Sequence, residues 1–335
     1  MNDKLTIRIR LWRGAIFLVC FLLFLQCYYL LDIHYNPLAR YPYGTPEQRE
    51  MIEMILSDDD IDYLITSQMD PEIFLPFMLS EGFNIRNAYY YETAMQTRSA
   101  QPEIVVDFVN MFRKRWTLSE MENYLRFYSY NDIVDFYDNS GQASLVNKPD
   151  DPLLILDQKS SVWTYRPANL RMDGSLILDQ EAMNAFLAMQ MAASGEGIDL
   201  QPLAGYISYR QQKDNAASNP YPNSRNLPYG SREEQLGFTL ILEPATRYIS
   251  SIPATMEGGY LQSPLSEQDQ RISDWLESHA SEYGFIIRYP ADKSEKTQEN
   301  YQPFILRYTG ITAAREMENM NLCLEEYVQM TQATK

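Results

Sequence analysis

Near its start the chain carries a run of twenty residues, GAIFLVCFLLFLQCYYLLDI (Gly14–Ile33), with no charge before Asp32. As an α-helix that run is about 30 Å long, the thickness of a bilayer's hydrocarbon core. Its apolar side chains cover the whole circumference, so water is a poor solvent for it and a single wet face cannot rescue it. Lys4, Arg8, Arg10 and Arg13 precede the run, and Trp12, Tyr28 and Tyr29 lie near its ends. Basic residues stay on the cytoplasmic side and aromatic residues favour the interface, which orients the helix. The expectation is a cytoplasmic tail at 1–13, a transmembrane helix at 14–33 and an extracellular bulk. A cleaved signal peptide is the competing reading, but no small-x-small cleavage site follows, and Gln26 before Cys27 argues against a lipid-attachment site. No second run of that length follows, so a single pass is expected.

Composition removes several function classes. The chain has 45 acidic against 28 basic residues, a net charge of −17. Nucleic-acid binding relies on a basic surface that neutralises phosphates, so nucleic acid is not expected as a partner. Cys20 and Cys27 share the apolar run and Cys323 stands alone, which offers neither a disulfide framework nor a CxxC metal spacing. The only two histidines are His34 and His279, so a site needing several histidines together is nearly excluded.

Residues 34–46, rich in proline, read as a short stalk. From 47 to 139 the pattern is helical. TPEQREMIEMILS has Thr45 as a cap and Pro46 at the first helical position. LSDDDIDYLI and TLSEMENYLRFY place Ser57 and Ser119 as N-cap candidates with acids in the first turn. Each precedes a shorter helical segment, and the two pairs look like a weak internal duplication. SDDDID lacks the glycine and distal glutamate of a calcium loop and reads as a capped helix start. The tyrosines of AYYYETA read as core and rim. Residues 139–152 form the expected seam. Beyond it, LLILD, SLILD, GFTLILEP, FIIRYP and QPFILRYTG read as strands interleaved with helices at QEAMNAFLAMQMAASGEGI and SEQDQRISDWLESHASEYG. The fold class expected for 140–335 is α+β, preceded by a small all-α domain.

Five segments of this region resemble, in order, the VanY-like zinc D-alanyl-D-alanine carboxypeptidases. AGYISYRQQ is similar to that family's S-G-Y-R-S-x-x-x-Q element and REEQLGFTLI to its S-E-H-Q-x-G-x-A-x-D element. WLESHASEYGFIIRYP is similar to W-L-x-x-N-A-x-x-Y-G-F-x-x-R-Y-P, YQPFILRYTG to Y-E-P-W-H-F-R-Y-x-G, and AAREMENMNLCLEEYV to the family's last helix. LVNK near the seam also fits. The resemblance, over residues 143–328, implies a carboxypeptidase-like fold, a zinc cofactor and peptidoglycan stem peptides as ligands.

The resemblance also implies where the chemistry sits, and there the sequence departs. The family's first zinc histidine aligns with Glu234, its aspartate with Ile241 and its second histidine with Ile305. The general base aligns with Gln302, and the arginine that holds the substrate carboxylate with Ile207. Zinc requires electron-pair donors, which an alkyl side chain lacks. Glutamine is no base near neutral pH. No catalytic residue and no bound zinc are therefore expected. Two isoleucines buried there would each contribute roughly 1.5–3 kcal/mol of apolar transfer instead. A lone buried carboxylate is costly, so Glu234 is expected to be solvated or paired with Arg232 or Arg210.

Tyr206, Ser208, Gln212, Gln235, Arg307 and Tyr308 match family positions around the cleft and are the candidate peptide-binding residues, although each could equally hold strands and turns together. Arg288 and Tyr289 read as structural and His279 as a surface residue. The expected function is a membrane-anchored, carboxypeptidase-like cell-surface protein that binds stem peptides or a wall-synthesis protein without hydrolysing them. An active carboxypeptidase with a non-standard metal site and an interaction module with a closed cleft are the alternatives. If 14–33 is an uncleaved anchor, the full chain will stay with membranes through alkaline carbonate washing, while a chain beginning at residue 34 will be recovered in the soluble fraction. Recovery of the full-length product without its first 33 residues would show a cleaved leader instead.

Overall fold

A computed structural model describes residues 2–34, 36–141, 143–214, 227–249 and 264–333. The chain divides into two compact units, Met1–Arg115 and Trp116–Lys335.

The first unit is helical among its described residues. Helix α1 (Asn2–His34) contains Trp12–Leu31, long and apolar enough to cross a membrane, and the side chains of that stretch are exposed. Helices α2 (Pro46–Ile55), α3 (Asp58–Ser67), α4 (Pro71–Phe74), α5 (Ala88–Thr97) and α6 (Pro102–Phe112) follow. Thr45 and Gln48 form a reciprocal capping box at the start of α2, and Ser57 accepts from the Asp60 amide at the start of α3. These caps satisfy donors that a helix N-terminus otherwise leaves open. Ile52, Ile61, Leu64, Phe74, Ile85 and Ala88 cluster in the core, and Leu38 and Tyr41 join them. The supposed stalk is therefore packed structure: the Arg49 guanidinium donates to the Leu38 carbonyl at 3.2 Å, and the Tyr41 hydroxyl donates to that of Met69. In AYYYETA, Tyr91 is buried with its hydroxyl on Asn110 at 2.8 Å, while Tyr89 is exposed.

The second unit begins with α7 (Leu118–Phe127) and α8 (Tyr130–Asn139), which sequence grouping placed with the helical domain. Aromatic side chains explain the difference. The Tyr124 and Tyr128 hydroxyls donate to the Leu145 and Val146 carbonyls at 3.0 and 2.8 Å, and Phe136 meets Trp163 edge-on at 5.5 Å. The cap of α7 is Thr117 rather than Ser119, because Glu120 can reach back to Thr117 and close a capping box.

Strands β1 (Ser144–Leu145) and β2 (Ser160–Ser161) pair in parallel, and β3 (Leu170–Asp173) with β4 (Leu176–Asp179) forms a hairpin. Helix α9 (Gln180–Gly195) follows, ending where the glycines predicted. Then come β5 (Pro202–Ala204), α10 (Tyr209–Asp214), β6 (Thr239–Leu242), α11 (Ala245–Ile249) and α12 (Glu267–His279). Strand β7 (Phe285–Tyr289), α13 (Ser294–Thr297), β8 (Gln302–Tyr308), α14 (Ile311–Met320) and α15 (Leu324–Ala333) complete the unit. Its main sheet is antiparallel in the order β5-β6-β8-β7. This mixture is the α+β class expected. Most of the long Asn/Pro-rich loop expected between α10 and β6 lies outside the described residues.

One expected strand is absent: LLILD (Leu153–Asp157) is irregular. Leu153 and Ile155 enter an apolar cluster with Ile286, Met317, Leu324 and Tyr327. The carbonyls of Pro152 and Leu154 accept from a guanidinium, so they are satisfied without a neighbouring strand.

Gly205, at the end of β5, allows the chain to press on β4: a methyl group there would run into the Ile177 carbonyl oxygen and the Leu178 side chain. The next residue, Tyr206, donates its amide to that same carbonyl at 2.7 Å. Gly205→Ala is therefore expected to destabilise the full chain by roughly 2–3 kcal/mol, read from denaturant unfolding in detergent. An unchanged midpoint would show that this approach is not tight.

Candidate functional site

Two neighbouring strands and the turn before them carry four of the five positions that departed from the expected chemistry, and the fifth, Ile207, lies just before α10. In the β6–β8 ladder Ile241 lies directly opposite Ile305. Facing residues of an antiparallel pair project side by side on one face of the sheet, with Cβ atoms about 4.5–5.5 Å apart. Ile241 is 0% and Ile305 8% exposed. Glu234 lies in a 3-10 turn, Glu233–Leu236, that ends at Gly237 in the left-handed region (φ 79°). Its carbonyl accepts the Ile207 amide at 3.2 Å. Gln302 opens β8 and pairs with Tyr289. The fold thus gathers Ile207 and Glu234, and sets Ile241 against Ile305.

These side chains do not make a zinc site of the kind the resemblance implies. They offer one carboxylate, one amide and three hydrocarbon chains, whereas a catalytic zinc takes three protein donors and a water. Among the described residues, no three His, Cys, Asp or Glu side chains are grouped to hold an ion. His279 lies elsewhere, its ring stacked on Trp275 at 4.7 Å and its Nδ1 2.9 Å from the Trp275 carbonyl. The arginines considered as partners for Glu234 are otherwise engaged: Arg210 pairs with Asp214 at 3.3 Å, and Arg232 donates to the Leu227 carbonyl and lies over the Tyr229 ring.

The expected peptide-binding residues divide into three groups. Gln212 and Gln235 are buried and fully committed. Gln212 Nε2 donates to the Ile207 carbonyl and to Gln235 Oε1, both at 3.1 Å, while its Oε1 accepts the Gly230 amide at 3.2 Å. Gln235 Nε2 donates to the Trp163 and Tyr165 carbonyls at 2.6 and 2.9 Å. Neither keeps an N–H for a ligand. Ser208 is similarly occupied, its hydroxyl donating to Gln211 Oε1 at 2.8 Å and accepting the Gln211 amide at 3.2 Å at the start of α10. Tyr206 and Tyr308 remain half-buried. Burial raises both phenols above the ordinary tyrosine range, so they stay protonated at any physiological pH.

Arg307 is the clearest correction. It is 0% exposed and points into a buried ionic cluster rather than a groove. Its Nη2 donates to the Pro152 and Leu154 carbonyls at 3.1 and 3.0 Å, and its Nη1 reaches Glu233 at 3.4 Å. Arg288, 1% exposed, holds Glu233 through two bonds of 2.8 Å and Glu325 of α15 through bonds of 2.7 and 3.2 Å. Two cations face two carboxylates. Burial works against the charge of Arg288, but the attraction of Glu233 outweighs it and the guanidinium holds its proton more tightly than usual. Burial pulls Arg307 the other way, and its single longer contact with Glu233 does not fully compensate. Sequence reasoning passed over Glu233. The available signal was an acid just before a buried strand, in a chain where two of the Arg-Tyr pairs (288–289 and 307–308) fall in strand-like segments.

The chain was compared with known proteins. The family pattern of VanY, a D-alanyl-D-alanine carboxypeptidase, matches residues 254–311. A putative carboxypeptidase, YodJ, of Bacillus subtilis (strain 168) is 33% identical over 158 residues, which is 45% of this chain and 53% of that protein. A D-alanyl-D-alanine carboxypeptidase of Enterococcus faecium is 43% identical over 61 residues, 18% of this chain and 20% of its own length. The chain thus spans about half of the first relative and a fifth of the second. Among solved structures, the LdcB LD-carboxypeptidase superposes with a TM-score of 0.45 at 26% identity, covering 56% of this chain and 90% of that one.

Removing one member of the buried cluster leaves the others uncompensated. Glu233→Gln is expected to cost about 3–5 kcal/mol of stability. Glu325→Gln, on a carboxylate still 21% exposed, will cost clearly less. Denaturant unfolding of the two variants checks this, and equal losses would show that Glu233 is not the hub.

Proposed function

We propose, from the premise that its C-terminal unit is VanY-like, that this chain is a surface-anchored relative of the D-alanyl-D-alanine carboxypeptidases that binds peptidoglycan stem peptides and does not cleave them. The observation that carries the reading is the pairing of Ile241 with Ile305. At the positions where the resemblance places two zinc ligands, the chain has side chains that can only pack. Apolar burial of roughly 1.5–3 kcal/mol for each can stabilise the sheet without an ion.

Absence of hydrolysis follows from the donor chemistry. Stem-peptide cleavage by a zinc enzyme requires a metal-activated water and a base to take its proton. Gln302, at the base position, holds no exchangeable proton site of suitable pKa. Ile207, at the position that would hold the substrate carboxylate, carries no charge. What remains for recognition is the half-buried surface around Tyr206, Ile207 and Glu234, and main-chain groups near β6. The anchor, with its basic N-terminal flank, supports a cytoplasmic N-terminus and an extracellular C-terminal unit.

Three measurements on the full chain in detergent test the reading: zinc per chain by mass spectrometry, D-alanine release from a muramyl pentapeptide, and titration with that pentapeptide. The expected results are well under one zinc per chain, no release and saturable binding. One zinc per chain with turnover would establish an active carboxypeptidase with an unusual metal site. No zinc, no turnover and no binding would leave an interaction module with a closed cleft.

A further inference from the structure

The segment TYRP (164–167) runs along the turn that carries Glu234, and two contacts fix it there. The Tyr165 carbonyl accepts from Gln235 Nε2 at 2.9 Å. Pro167 packs over Gly237, where an added Cβ would lie 3.5 Å from the proline ring. Gln235 and Gly237 follow Glu234 by one and three residues. A proline holds the residue before it in an extended conformation, so Arg166 has little backbone freedom between these contacts. Successive side chains of an extended segment project to opposite sides. Tyr165 and Pro167 are buried, and Arg166 between them is exposed.

On so acidic a chain a surface arginine readily finds a carboxylate. Arg166 has none: the ion pairs among the described residues join other cations to their acids and leave it out. Its charge is felt instead at Tyr206, where burial raises the phenol and Arg166 acts in the opposite direction. Tyr206 is half-buried, directly precedes Ile207 and is pinned by its amide on the Ile177 carbonyl at 2.7 Å. A guanidinium and a protonated phenol, both hydrogen-bond donors, thus stand at one edge of the candidate site.

Charge decides what those donors can take. The rest of the rim is acidic: Glu234 lies on the turn, and Glu181 and Asp179, at the start of α9, add to burial in raising the Tyr308 phenol. A ligand carboxylate that entered without a cation to meet it would be repelled. The sequence pattern that this unit resembles meets that need with an arginine where this chain has Ile207. Arg166 offers the same charge beside the residue next to Ile207, and its planar fork matches a carboxylate through two parallel bonds.

We propose that Arg166, with the Tyr206 hydroxyl as second donor, receives the terminal carboxylate of the bound peptide in place of an arginine at position 207. This rests on the peptide-binding reading above and names the group that makes the site specific for a free C-terminus.

Calorimetric titration of the full chain in detergent compares a muramyl pentapeptide with the same peptide amidated at its C-terminus. The parent should bind the acid about tenfold tighter than the amide, and the ratio should shrink as salt is raised. In Arg166→Gln the ratio should fall to about one, while Arg166→Lys should keep part of it, because a point charge remains without the fork. Tyr206→Phe should lower the ratio by about threefold. Melting curves check that each variant is folded. Equal affinity of the parent for acid and amide, or a preference for the acid that survives in Arg166→Gln, overturns the assignment and leaves peptide binding standing. If the parent binds neither peptide, both readings fall.

Discussion

Glu233 is the residue on which the C-terminal unit most depends. It lies in a one-turn helix ahead of β6, yet its carboxylate binds guanidiniums from β7 and β8, and through Arg288 it is tied to Glu325 on α15. Arg307 carries the link to the irregular segment at 152–154. Three separate parts of the chain, the turn of Glu233, α15 and the segment at 152–154, are thus fixed to the sheet through one buried cluster. Burying charge is expensive, and a cluster like this adds little net stability over a well-packed apolar core. What it adds is register. Guanidinium forks accept a carboxylate in few geometries, so the turn carrying Glu233 and Glu234 can seat itself against β7 and β8 in only one way.

That constraint explains how the sheet around Ile241 and Ile305 can hold its arrangement without an ion. A metal site in a fold of this kind would contribute both chemistry and cross-linking, since its ligands come from the turn, from β6 and from β8. Here the cross-linking has two other sources on the same elements. The ionic cluster fixes the turn, and the Ile241–Ile305 pair joins β6 to β8 through dispersion and burial. Thr239 and Arg307 are also ladder partners, two residues along, so the ionic and the apolar contacts lie on one face of the sheet. Neither contact relies on an ion.

Much of the fold was legible in the sequence. Alternation and turn residues gave β4, β6, β7 and β8, and caps such as Thr45 and Ser57 gave the helix starts. The misreadings share a cause: a local pattern was overridden by a distant partner. LLILD has strand composition, but its carbonyls serve Arg307 and its side chains serve the α14–α15 cluster. Ser119 is a plausible cap, but Glu120 can close a box only with Thr117. Residues 116–139 look like the preceding helices, yet their tyrosines donate to carbonyls at 145 and 146. The positions of Glu234, Ile241 and Ile305 could be placed by resemblance, and the ladder brings the two isoleucines together. Arg307 could not be understood that way, because nothing in a linear pattern shows that its partner is Glu233.

The two buried glutamines beside the candidate site are bound up within the protein. In a cleft that reads a peptide, amides are expected to present free donors and acceptors. Gln212 and Gln235 instead bond to each other and to the carbonyls of residues 163, 165 and 207. Their work is to hold the loop of Trp163 against the start of α10. These side-chain amides position an aromatic residue in a strained backbone state, and the energy of those bonds offsets the strain.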